Sequence, residues 1–77
     1  MERISGPFKG YFIAAYSLTA GDMHVGYAKV CSEEPLDVWS ERGVEKLTSA
    51  VSPRSELDAI AEAEQKARDA ISERCQA

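Results

Sequence analysis

The sequence predicts an α+β fold in which an antiparallel β-hairpin and a short third strand pack on one long C-terminal helix. Two observations predict this fold. Two runs with alternating apolar side chains flank a Gly-Asp turn, and the last third of the 77-residue chain consists mainly of strong helix formers. Because domains usually contain about 100–150 residues, we expect residues 1–77 to form a single domain with one core.

The hairpin is expected over residues 8–32, after a flexible leader at 1–7 that contains Gly6 and Pro7. Its first strand, KGYFIAAYSL, is rich in aromatic and β-branched residues. Alternation places Phe12, Ala14, Tyr16 and Leu18 on one face, and Tyr11, Ile13, Ala15 and Ser17 on the other. Both faces are largely apolar, so we expect this strand to be covered on two sides.

Gly21 and Asp22 form a turn signal between the first strand and the run MHVGYAKVCS. This second run also alternates. One of its faces carries Met23, Val25, Tyr27, Lys29 and Cys31. The two runs therefore predict a hairpin that reverses at Gly21.

Residues 33–54 are expected to connect the hairpin to the helix, and the structure of 37–50 has two interpretations. The positions Val44, Leu47 and Val51 recur at helical spacing, and Asp37 is a residue type that caps helices. Gly43 and the β-branched residues of the segment favour an extended chain. We expect a short third strand at about 44–50, with a second helix as the alternative.

The helix is expected over 55–75. Ser55 is a good N-cap, and Asp58 stands where a capping-box carboxylate belongs. Acidic residues dominate its first half and basic residues its second half, as the helix macrodipole favours. Its apolar stripe consists of Leu57, Ile60, either Ala63 or Ala67, Ala70 and Ile71.

Composition argues against several kinds of partner. The net charge is −4 and the basic residues are scattered, which argues against direct nucleic-acid binding. The longest apolar run, 11–16, is far shorter than the ~20 residues that span a bilayer, so we expect no membrane association. The N-terminus lacks a secretory apolar region, so we expect a cytoplasmic protein in which Cys31 and Cys75 remain reduced.

The sequence offers no catalytic, metal or cofactor motif. His24 is the only histidine, and it has no partner at catalytic or metal-ligand spacing. Cys31 is followed closely by Glu33 and Glu34, whose charge disfavours a reactive thiolate. We therefore expect a protein that is not an enzyme and that binds neither metal nor cofactor.

One helix covers only one face of the hairpin, so something else must cover the other. Either the Val38-Trp39 segment folds back over it, or a second copy of the chain does. We accordingly predict a small, non-catalytic protein-interaction module that is homodimeric or binds another protein. Its expected interaction surface, with the strand register undetermined, comprises Tyr11, Ile13, Tyr27 and Trp39.

The opening strand carries Phe8, Gly10, Tyr11 and Ile13, and the helix carries Ser55, Ala59, Ala63, Ala67 and Ile71 at four-residue spacing. In these positions the chain resembles small proteobacterial βββα proteins of uncharacterised function, which implies an architecture and no activity. It is more distantly similar to the N-terminal domain of HicB-type antitoxins, although the loop 32–43 differs from theirs. That similarity implies a nucleic-acid-associated or toxin–antitoxin-like regulatory module as one alternative function. A small-ligand-binding protein with a pocket beside Trp39 is the other.

Overall fold

The computed structural model describes residues 2–39 and 43–74, which form a four-stranded antiparallel sheet and one helix. The elements are β1 (Glu2–Phe8), β2 (Tyr11–Ala20), β3 (Met23–Cys31), β4 (Val44–Ser52) and α1 (Glu56–Arg74). The strands lie in the sheet in chain order, and α1 packs across β2, β3 and β4 on one face. The predicted α+β class, with strands packed on a single C-terminal helix, is confirmed.

The hairpin reverses at Gly21, whose φ of 60° lies in the left-handed region that glycine tolerates best. From this turn β2 and β3 pair without interruption, from Ala20 opposite Met23 to Phe12 opposite Cys31. The register sets Tyr16 opposite Tyr27 and Leu18 opposite Val25. The alternation of the sequence therefore corresponds to two physically distinct faces.

The structure corrects the expectation of a flexible leader at residues 1–7, because Glu2–Phe8 form the edge strand β1. This strand pairs with β2, and its register shifts between Ser5 and Phe8, around Gly6 and Pro7. A proline and a bulge are compatible with an edge strand, where one row of backbone groups needs no partner. The apolar pattern of this segment is weak, so the sequence alone does not indicate a strand. The strand forms through pairing with β2.

The ambiguous segment contains a strand, β4, which pairs with β3 and extends two residues beyond the predicted 44–50. It is the fourth strand of the sheet, because β1 precedes the hairpin. The helical spacing of Val44, Leu47 and Val51 does not reflect a helix, since Leu47 and Val51 are both exposed on β4. The third strand expected from the sequence is thus present, and the alternative of a second helix is excluded.

Helix α1 begins within one residue of its predicted start. The Asp58 N–H donates to Ser55 Oγ at 3.1 Å, as expected of an N-cap serine. The helix is described to Arg74, and Cys75 lies outside the described residues. Between α1 and the sheet lies the main core, formed by Ile13, Ala15, Ala28, Val30, Ala50, Ile60, Ala63, Ala67 and Ile71.

Candidate interaction surface

The sheet face away from α1, here called the open face, carries every second residue of the strands. Cross-strand pairing arranges these residues in rows. The first row runs from Leu18 through Val25 to Val51, and the second from Tyr16 through Tyr27 to Ser49. The third runs from Ala14 through Lys29 to Leu47, and the fourth from Phe12 through Cys31 to Val44. This face is therefore apolar and aromatic over most of its length, which is unusual for a sheet face that only meets water.

Part of this face is covered by the chain itself. The segment between β3 and β4 folds back so that Val38, 1% exposed, packs with Ala14 and Cys31 in a second small core. The base of the segment is closed by the Ser32 N–H, which donates to the Gly43 carbonyl oxygen at 2.8 Å. Burial raises the pKa of the Cys31 thiol, while the nearby Lys29 charge opposes that shift more weakly. The segment thus seals one end of the face and keeps this thiol neutral.

Next to the covered end lies an aromatic cluster. The Trp39 ring centroid lies 4.6 Å from that of Tyr16, and Tyr16 stacks on Tyr27 with centroids 5.1 Å apart. Lys29 Nζ lies 5.7 Å from the Tyr16 ring centroid and makes a cation–π contact with it. Burial, and secondarily the neighbouring Tyr27, raise the pKa of Tyr16. The backbone N–H of Trp39 donates to Asp37 Oδ1 at 2.9 Å, and the Trp39 side chain is 55% exposed.

The other end of the face is uncovered by any described residue. Leu18 is 50% exposed and Val51 is 54% exposed, on either side of the half-buried Val25. Met23 is also exposed, at the hairpin end of the same face. We define the open patch as Leu18, Met23, Val25, Tyr27, Trp39 and Val51. It forms a continuous apolar surface across three strands, with aromatic rings at one end.

The four residues predicted to form an interaction surface do not lie on one surface. Ile13 is 2% exposed beneath α1, and Tyr11 lies on the same helix-facing side of β2. Only Tyr27 and Trp39 lie on the open face. The register explains this correction, because Tyr16, and not Tyr11 or Ile13, shares a row with Tyr27.

The sequence reasoning missed Leu18, Val25 and Val51, although a signal for the first two was available. The helix-facing side of the hairpin is built from small residues such as Ala15, Gly26 and Ala28, which an alanine-rich helix can approach closely. The bulkier residues of the alternating pattern therefore had to face away from the helix. Size, rather than hydropathy, distinguishes the two faces.

A polar cluster lies at the hairpin end of the molecule. Thr19 Oγ1 lies 3.2 Å from His24 Nδ1 and donates to Glu56 Oε1 at 3.1 Å, which ties the hairpin to the start of α1. Over 2–39 and 43–74 no group of three or more His, Cys, Asp or Glu residues is placed to hold a metal ion. Within the same ranges, no helix is both long enough and apolar enough to cross a membrane.

Comparison of the chain with protein-family models gave no match, and neither did comparison with curated proteins or with solved structures.

Proposed function

We propose that this chain is a small, non-catalytic protein-interaction module that forms a homodimer through the open patch. The observation that carries the proposal is the row Leu18, Val25 and Val51, in which Leu18 and Val51 remain half exposed at the hairpin end of the sheet. A sheet face of this kind is stabilised when a second layer removes it from water. The free Cys31 thiol fits a reducing, cytoplasmic setting.

The driving force for dimerisation would be burial of apolar surface. Fully burying one aliphatic side chain contributes about 1.5–3 kcal/mol, and Leu18, Met23 and Val51 each have a third to a half of their surface left to bury. A two-layer domain of 77 residues has a small core, so this additional burial would also stabilise the fold. The open patch thus supplies the reinforcement that a short chain needs.

The size and shape of the molecule suit a symmetric contact. Its extents are 39 × 25 × 15 Å. The open patch spans β2, β3 and β4 at the hairpin end of the face, so the contact leaves the covered end and β1 free. Two copies related by a two-fold axis would pack sheet against sheet about 10 Å apart, with both helices outside. Trp39 would then lie at the border of the contact as an aromatic anchor.

Sedimentation equilibrium over a wide concentration range, in reducing buffer, tests the proposal. The wild-type chain is expected to sediment as a dimer at high concentration. Val51→Lys places a charge in the open patch and is expected to yield a monomer. Leu57→Lys is the matched control, because Leu57 is 51% exposed but lies on α1, away from the open face. It is expected to leave the dimer intact.

Trp39 provides a second readout, since it is the only tryptophan of the chain. Its emission is expected to shift to shorter wavelength as concentration rises, because dimerisation removes its half-exposed ring from water. The Val51→Lys variant should show no such shift. A folded wild-type chain that stays monomeric at millimolar concentration, or a dimer that Val51→Lys leaves unchanged, would refute the proposal.

A further inference from the structure

A cleft of about 290 Å³ opens between β1 and the segment that folds over the sheet. Its lining residues are Glu2, Arg3, Ile4, Leu36, Asp37 and Val38. Ile4 and Val38 give it an apolar floor, and Leu36, which is almost fully exposed, forms a rim. The cleft lies beside the open patch but shares no residue with it.

Among the described residues that line the cleft, the one cation, Arg3, is paired with a carboxylate outside the cleft, so the lining is acidic. The Arg3 guanidinium donates to the buried carboxylate of Glu64 on α1, with Nε 3.2 Å from Oε2. Asp37 uses one carboxylate oxygen for the Trp39 N–H and keeps the other available. Glu2 makes no ion pair or hydrogen bond with any described side chain. Two carboxylates therefore border a cleft with an apolar floor.

The cleft adjoins an unpaired strand edge. β1 is the first strand of the sheet, and β2 is its only strand neighbour among the described elements. The outer backbone groups of Glu2–Ser5 precede the bulge at Gly6 and Pro7, so they can form a regular ladder with another strand. Alternation places Glu2 and Ile4 on the cleft side of β1. A strand added here would direct every second side chain toward the cleft.

We propose that this cleft and the β1 edge together bind an extended, basic segment of another protein. The segment pairs with Glu2–Ser5 as a fifth strand, as in other cases of β-augmentation. One Lys or Arg side chain of the segment enters the cleft, where its charged end meets Glu2 and Asp37 and its aliphatic stem packs on Ile4. This site is separate from the homodimer contact and does not depend on it.

Fluorescence anisotropy with a labelled, end-blocked eight-residue Thr-Lys repeat tests the proposal. Binding is expected to weaken roughly three- to tenfold when Glu2→Gln and Asp37→Asn are combined, as expected for the loss of two partly exposed charge pairs. Asp37→Asn retains a side-chain oxygen that can accept the hydrogen bond from the backbone N–H of Trp39. The matched control combines Asp22→Asn with Glu73→Gln, which removes the same amount of charge at two exposed positions outside the cleft. It should bind the peptide as the wild type does.

Two further peptides separate the contribution of charge from that of backbone hydrogen bonds. A Thr-Glu repeat should not bind, because the cleft is acidic. A Thr-Lys repeat with N-methyl groups at alternate residues loses half of its backbone donors, and it should bind more weakly than the parent peptide if a ladder forms with β1. The Val51→Lys variant should bind the parent peptide as well as the wild type does. Absence of binding, or equal weakening by the control pair of substitutions, would overturn the proposal whatever the oligomeric state proves to be.

Discussion

A Cβ atom at Gly26 would lie 2.2 Å from the carbonyl oxygen of Ala59, so strand and helix backbones are in direct contact at this point. Gly26 is on β3, opposite Ser17 and Ala50 on the neighbouring strands, and all three are buried. Ala59 is in the first turns of α1, where the helix has just left its N-cap. This contact fixes which face of the sheet the helix covers and how closely it lies.

Gly26→Ala is expected to destabilise the fold by about 2 kcal/mol or more, because the clash involves backbone atoms that cannot rotate away. Urea denaturation followed by circular dichroism measures the change. Ser49→Thr adds one methyl group at an exposed position of β4 and should change the stability by less than about 0.5 kcal/mol. A wild-type midpoint for Gly26→Ala would mean that α1 does not approach β3 as described.

Removing either of two buried hydroxyl groups in the core is expected to affect the stability of the fold differently. Thr48 Oγ1 lies 2.8 Å from the Ala63 carbonyl oxygen and 3.2 Å from that of Ala28, so it links α1 to the sheet. Ser17 Oγ is buried and has no hydrogen-bond partner among the described residues.

Thr48→Val should therefore cost about 1–2 kcal/mol, since it removes a buried hydrogen bond with little change of shape. Ser17→Ala should be neutral or stabilising, because it removes a buried polar atom that gains nothing from the fold. Thermal and urea unfolding of the two single variants measure the difference. A larger loss for Ser17→Ala than for Thr48→Val would contradict the assignment of their partners.

Much of the fold could be predicted from the sequence because its hairpin is locally determined. Alternation correctly places Leu18 and Tyr16 on one face of the first strand, and Val25 and Tyr27 on one face of the second. The structure pairs these residues on the same side of the sheet. The helix was equally clear from its composition and its Ser55 cap. These elements are encoded by neighbours in the sequence, which is why single-chain reasoning finds them.

β1 and the candidate surface depend on contacts that the sequence does not express locally. Glu2–Phe8 has little strand character of its own, and pairing with β2 makes it a strand. The choice of helix-facing side required weighing side-chain size against hydropathy, since both faces of β2 are apolar. The sequence alone therefore does not show that Ile13 lies on the side that α1 covers, where it is buried.

The ion pair between Arg3 and Glu64 holds β1 against the rest of the molecule. Glu64 is buried, and its carboxylate accepts hydrogen bonds from Nε and Nη2 of Arg3. The hydrogen bond to Glu64 raises the pKa of the Arg3 guanidinium further, so the cation persists at every pH in ordinary use. The pair connects a strand that has few other contacts with α1.

Arg3→Met is expected to cost about 1–3 kcal/mol, because it leaves a buried carboxylate without its partner. Adding Glu64→Met should recover part of this loss, since no charge then remains buried. Arg54→Met, at an exposed position in the turn before α1, is the control and should change the stability little. Urea denaturation of the wild type, Arg3→Met, Glu64→Met and the double variant gives the coupling energy, and a coupling near zero would show that the pair does not hold β1.

The burial of Cys31 predicts a loss of stability at alkaline pH. Because burial raises the pKa of this thiol in the folded chain, the unfolded chain releases the proton first. The stabilising contribution is thus complete below the ordinary thiol pKa of about 8.5 and declines as pH rises from there toward the folded value. In a Cys75→Ser background, the free energy of unfolding should fall more between pH 7 and 9.5 than it does with Cys31→Ala added. The comparison uses the pH dependence of each variant, so the cavity left by the alanine does not affect the result. Equal slopes would show that Val38 does not keep the thiol away from water, and that the segment 33–39 leaves this end of the sheet open.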